Sequence, residues 1–305
     1  MAYKKLKPAE FFGQICTEEA ARELVWSEKF QGKRFVCPKC TREDDFYQLE
    51  SRPEVRQCRL CDRQVRLRSG TMLEHSKLPI LTWLRALFLV TQDKRGISAL
   101  SLTRLLGLGS YRTGWRMLHK IREAMRQRDD TYQLKGLIEL DGAQFQPEAH
   151  SGDTTEVLVA VESKEWRDER GKLRAGAGFA KVVVARETTI FAQRFADWAI
   201  TPGSQVNTDG DSAYHALKNV DHDARRIGGS ADELNRWLPW VHKFIANAKT
   251  WLLGTHHGVN AKYLGRYLAE YTYRFNRRHD PEGLMHRTLV ACVNAKPIRL
   301  PVLCA

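Results

Sequence analysis

Cys37, Cys40, Cys58 and Cys61 form two Cys-x-x-Cys pairs with seventeen residues between them. Each such turn delivers two thiolates to one side of an ion, and a tetrahedron of four soft ligands is what zinc takes. Four thiolates leave no position open for water, so the zinc expected here is structural. Two aspartates carry a different chemistry. Asp141 ends the apolar run Leu137-Ile-Glu-Leu and Asp209 follows Gln205-Val-Asn-Thr, each with a glycine after it. An acid at a strand end is held by the sheet while its head group reaches solvent. Two of them on adjacent strands suit magnesium or manganese, hard cations that take oxygen ligands and keep several waters. A pair of such ions supports phosphoryl transfer. Asp-Gly is also a common turn dipeptide. Asp211 competes for the second position, and Asp209 is preferred because it directly abuts the strand.

The elements that must position these residues fall into blocks. Residues 1–76 read as an N-terminal helix, over about Pro8 to Lys29, followed by a cysteine module with short strands. Residues 77–132 are helical in pattern, and Ile97 to Leu106, a glycine-containing turn and a helix from Ser110 through Met125 make a helix-turn-helix-like layout. In that last helix Trp115, Leu118 and Ile121 can face a core. Arg112, Arg116, Lys120 and Arg122 are then expected on a basic outer face able to meet DNA. Residues 133–285 alternate: strands near 137–141, 156–161 and 179–185, a helix over 188–198, a strand at 205–209, a short helix at 212–217, then helices at 239–253 and 261–274. That order describes a mixed α/β layer fold. Ser163 to Gly178 reads as an exposed charged loop, and residues 286–305 as a C-terminal tail.

Composition points to the partner. The chain has 305 residues, 49 Lys and Arg against 36 Asp and Glu, and a formal charge of +13. A nucleic acid is the commonest partner of such a chain. Around the cysteines, Lys33, Arg34, Lys39, Arg42, Arg56, Arg59, Arg63, Arg66 and Arg68 are candidates for phosphate contact. The apolar stretch from Leu78 to Val90 is interrupted by Pro79, Thr82 and Arg85 and is too short to span a bilayer. With no export signal in the opening residues, a cytoplasmic location and no membrane partner are expected.

The stretches VCPKC…QCRLC, RLRSGTMLEHSKLPI, IELDGAQF, NTDGDSAY, VHKFIANAKTWLLGTHHGV and YLAEYTYRFNRR together resemble the zinc-ribbon DDE transposases of bacterial insertion sequences, the ISXO-type transposases of family fifteen-ninety-five. The resemblance implies a zinc ribbon and helix-turn-helix-like region ahead of an RNase H-like catalytic domain. It implies divalent-metal cutting of transposon ends in double-stranded DNA and joining of the freed 3′ hydroxyl to target DNA, with a homodimer or higher oligomer on the DNA. By motif, Asp141 and Asp209 correspond to the first two catalytic acids and Asn247 to the third position, where an amide oxygen would serve as a weaker ligand. Lys249 is a candidate contact to the DNA end, and Glu270 is the alternative third acid. On an ideal helix Asn247 shares a face with Phe244 and Trp251. His242, His256 and His257 are read as structural or DNA-contacting. A catalytically silent DNA-binding descendant and a structure-specific nuclease are the rival readings.

Overall fold

The structure is a computed structural model that describes residues 10–11, 13, 15–30, 35–146, 154–225, 233 and 236–304. Lys33 and Arg34 lie outside the described residues. The chain forms two compact units, Met1–Arg128 together with Asp280–Ala305, and Asp129–His279.

In the first unit, helix α1 (Glu18–Lys29) is opened by Thr17, whose hydroxyl accepts from the Ala20 amide at 3.2 Å. Three short strands follow, β1 (Phe46–Gln48), β2 (Val55–Cys58) and β3 (Gln64–Arg66), paired antiparallel in that order. Next come α2 (Ile80–Gln92), α3 (Ala99–Leu105) and α4 (Tyr111–Asp129). Helices α3 and α4 join through Gly107, whose φ of 61° is open to glycine at little cost. They cross closely at Gly114, where an added Cβ would sit 2.2 Å from the Thr103 hydroxyl and 3.1 Å from the Ala99 carbonyl.

The expected tail is part of this unit. Helix α8 (Leu284–Asn294) packs on α1 and α2, the Cys292 carbonyl accepts from the Met72 amide at 2.9 Å, and His286 meets Glu28 at 3.0 Å. A final short helix, α9 (Leu300–Cys304), follows. The sequence from 286 on is short, and its apolar positions give no sign of a distant partner.

The second unit is a mixed five-stranded sheet in the order β6-β5-β4-β7-β8. Strands β4 (Leu137–Phe145), β5 (Thr155–Arg167) and β6 (Leu173–Val184) are antiparallel neighbours, while β7 (Gln205–Thr208) and β8 (Asp221–Ala224) run parallel to β4. Alternation along β4 sends Ile138 and Leu140 to one face, against α5 (Thr189–Ala199). Phe145 goes to the other, against α6 (Pro239–His256) and α7 (Ala261–Phe275). At the end of α7, Asn276 hooks onto β6, its side-chain oxygen accepting from the Ala180 amide at 2.7 Å and its amide donating to the Ala180 carbonyl at 3.0 Å.

Two expectations change, and one strand was not foreseen. Ser163 to Gly178 is the extended β5–β6 hairpin rather than a loop, closed where Asp168 accepts from the amides of Arg170 and Lys172 at 3.0 and 2.9 Å. The helix expected at 212–217 is a single 3₁₀ turn, Ser212–Tyr214. Strand β8 reads Asp-His-Asp-Ala, a polar sequence whose pairing is supplied by β7 and not by any alternation of its own. Among the described residues no helix is long and apolar enough to cross a membrane.

Gly114→Ala tests the helix crossing. Better helix propensity would stabilise by at most about 1 kcal/mol, whereas overpacking costs about 1–3 kcal/mol. A lower melting temperature is expected, partly regained when Thr103→Ala removes the opposing hydroxyl.

Candidate catalytic cluster and cysteine metal site

The cysteine module is built as two matching turns. The Thr41 amide donates to the Cys37 carbonyl at 3.0 Å and the Asp62 amide to the Cys58 carbonyl at 3.1 Å. Thr41 and Asp62 both take left-handed φ, 59° and 56°. The Sγ atoms of all four cysteines lie within 4.8 Å of one another, with Cys37–Cys61 and Cys40–Cys58 each at 3.5 Å. A zinc ion at about 2.3 Å from each sulfur needs sulfurs about 3.8 Å apart, so this donor set fits the metal. The apolar core beside it is small, Phe35, Cys37 and Cys58 with Phe30, Phe46 and Val65 around them. A cluster that size needs a further staple.

Several basic residues expected to face phosphate are used internally. Arg56 is 8% exposed, sandwiched between the Trp26 and Phe46 rings and paired with Glu23 at 2.7 Å. Arg68 makes a two-pronged bond to Glu54 at 2.6 Å and also donates to the Ser76 and Leu78 carbonyls. Lys39, Arg42, Arg59, Arg63 and Arg66 stay exposed, Arg42 and Arg59 against Asp45. On α4, Arg112 is exposed and Arg116 half-buried. Lys120 donates to the Met72 and Glu74 carbonyls at 3.2 and 2.7 Å, and Arg122 is buried. Burial holds the Lys120 ammonium below its ordinary range. Only the start of α4 therefore carries the expected basic outer face.

In the second unit the acids converge where β4 outruns β7. Strand β7 pairs with β4 only as far as Glu139 opposite Asn207, while β4 continues to Phe145. The Asp141-Gly142 pair thus lies inside a strand, opposite Val159 and Leu158, and makes no turn. Asp209 follows β7 directly, and Gly210 supplies a φ of 80° for the bend behind it. Asp211 is spent on capping the 3₁₀ turn, accepting from the Ala213 amide at 2.8 Å. Burial, and then the charges of Asp141 and Asp211, push the Asp209 carboxyl above its ordinary range. The indole of Trp237 donates to the Thr208 carbonyl at 2.7 Å, which ties the end of β7 to the approach to α6.

Helix α6 starts on a carboxylate. Glu139 Oε2, on the same face of β4 as Asp141, accepts from the amides of Trp240 and Val241 at 2.6 and 2.9 Å. These are donors that a helix start otherwise leaves unpaired. Burial outweighs both bonds and lifts the Glu139 carboxyl to about 7. Two residues after Trp240, His242 Nε2 stands 3.1 Å from Asp141 Oδ2. Seven residues on, a rotation only about 20° short of two turns, Lys249 lies on the same flank, its ammonium 5.5 Å from the Phe145 ring centre. Asn247 is exposed and sits about 140° around the helix from His242. Glu270 is buried on α7, which packs on β6, two strands away from β4.

The structure thus groups Asp141, Asp209 and His242, and leaves Asn247 and Glu270 apart from them. The sequence reading took His242 as structural or DNA-contacting and did not place it beside Asp141. The available signal was helical phase, because His242 and Lys249 share one flank of the apolar stripe Val241, Phe244, Ile245, Ala248, Trp251 and Leu252, and Asn247 falls on the opposite flank.

Residues 133–276 match the ISXO2-like transposase domain. This unit belongs to that family. The matched span contains Asp141, Asp209, His242 and Lys249, and it covers the whole sheet together with α5, α6 and α7. Membership implies an insertion-sequence transposase, a nucleic-acid-processing enzyme whose partner is DNA. Among curated proteins none matches the chain.

Two measurements test the construction. Removing zinc with a chelator is expected to abolish amide protection across β1–β3, and unchanged hydrogen exchange there would exclude zinc as the staple. Glu139 has a folded-state pKa raised above its unfolded value, so the native state holds the extra proton between about 4.5 and about 7. Its contribution to stability therefore falls as pH rises through that window. The difference in melting temperature between wild type and Glu139→Gln is expected to drift in that sense from pH 5 to 7.5, and a constant difference would refute it.

Proposed function

We propose that the protein is a DNA transposase whose RNase H-like unit cuts element ends and joins the freed 3′ hydroxyl to target DNA. What supports the fold reading is the mixed sheet, with antiparallel β6-β5-β4 and parallel β7 and β8. The observation that carries the chemistry is the approach of His242 Nε2 to Asp141 Oδ2 at 3.1 Å, beside Asp209, within a transposase domain.

The donor set suits a hard divalent cation: two carboxylates and an imidazole just beyond the last β4–β7 pair, at the carboxyl end of β7, where ligands of α/β sheets bind. Magnesium or manganese held by Asp141 and Asp209 would neutralise the scissile phosphate and activate the attacking hydroxyl. His242 takes the third position, facing the same space as the Asp141 carboxylate and fixing its orientation. Lys249 lies further along α6 on that flank and is suited to a phosphate of the DNA end. Tyr111 and Arg112, exposed at the start of α4, together with Lys39, Arg63 and Arg66 of the cysteine module, supply the proposed DNA-binding surface.

The test is cleavage of the element's end DNA with magnesium. Asp141→Asn or Asp209→Asn is expected to abolish nicking while DNA binding persists. His242→Ala is expected to cost on the order of 100-fold, and Asn247→Ala to stay near wild type. The reverse ranking would return the third position to Asn247, and full nicking by both aspartate variants would overturn the assignment.

A further inference from the structure

Glu187 lies outside every motif that marks the cluster, yet its carboxylate is built into it. It follows β6, in the connection to α5, and is half-buried. Its Oε1 accepts from the Tyr214 hydroxyl at 2.6 Å, and its own amide donates to Glu156 at 2.6 Å, which fixes the side chain at both ends. The carboxylate reaches under β4 at Gly142, where an added Cβ would fall 2.1 Å from both its carbon and Oε2. The glycine after Asp141 is therefore the clearance through which Glu187 approaches. Any other residue there would push it away.

The charge around this group is unbalanced. Asp141, Asp209 and Asp211 all act on Glu187 through space. Among the described residues, no lysine or arginine pairs with Asp141, Asp209 or Glu187, and the only ion-pair partner in the group is His242. Half-buried carboxylates that interact through space without a cation are unfavourable. Since α6 offers an imidazole instead of an acid, Asp141 and Asp209 alone supply two negative charges toward a site that would hold divalent ions.

We propose that Glu187 is a third carboxylate of the divalent-metal centre, approaching from the face of β4 opposite Asp141, with Tyr214 as its positioning residue and Gly142 as its clearance. The inference rests on the metal-dependent reading above. It also accounts for two residues the sequence left unexplained, the glycine of IELDGAQF and the tyrosine of NTDGDSAY.

The test is Mn²⁺ binding to the zinc-loaded full chain, followed by calorimetry or by loss of the free-ion paramagnetic signal, in the absence of DNA. Glu187→Gln keeps an acceptor for Tyr214 and removes the charge, and it is expected to weaken Mn²⁺ binding by about tenfold or more. Tyr214→Phe, which leaves the carboxylate in place and frees it from its hydroxyl, is expected to weaken binding less and in the same direction. Both should keep the wild-type circular dichroism spectrum. Wild-type Mn²⁺ affinity in Glu187→Gln, with affinity lost in Asp141→Asn, would overturn the role of Glu187 and leave the metal centre standing. Unchanged affinity in Asp141→Asn as well would overturn the centre and this inference together.

Discussion

A single buried carboxylate sets the register of the transposase-domain unit. Glu139 sits on β4 and binds the first free amides of α6, so strand and helix are pinned at one point. From that pin the regular rises of strand and helix fix the rest. Two residues along the strand is Asp141, two residues after Trp240 is His242, and the pair meet at 3.1 Å. Farther on, Phe145 meets Lys249. An ionised or protonated Glu139 can accept both bonds, but burial makes the charged form the costlier one.

The other half of the cluster is pinned separately. Strand β7 stops at Thr208, whose carbonyl is taken by the Trp237 indole and whose hydroxyl meets His222 at 3.0 Å. Asp209 is thereby carried to the open end of the sheet, beside a length of β4 that has no parallel neighbour. The gap exists because β7 and β8 are four residues long and β4 is nine. A longer β7 would cover the edge that the acids share.

Much of this was legible in the sequence, and the failures have particular causes. Asp141 announced itself as the acid ending an apolar run, Asp209 as the acid directly after an expected strand, and the four cysteines by their spacing. The helix that carries His242 was also legible, including its proline start. Its rotation was not. The apolar stripe has two polar flanks, and only the direction of approach to β4, set by Glu139, decides which flank meets the acids. Arg56, Arg68 and Lys120 misled for a related reason: a cationic side chain in a basic sequence suggests a surface, but these three are absorbed by Glu23, Glu54 and backbone carbonyls. Glu187 was invisible because it lies in no periodic element, and Gly142 looked like a turn.

The packing of α8 against α1 and α2 has a consequence for how the chain is made. The transposase-domain unit is continuous in sequence, from Asp129 to His279, and all its strands are available as soon as that stretch has left the ribosome. The unit that holds the cysteines is interrupted, and its α8 is synthesised after the whole of the other unit. The cysteine-bearing segment is thus completed only after the other unit has been made, and α1 and α2 must wait for α8 with their apolar faces uncovered. A nascent chain stalled near residue 280 would hold a finished transposase-domain sheet attached to an unfinished cysteine-bearing unit.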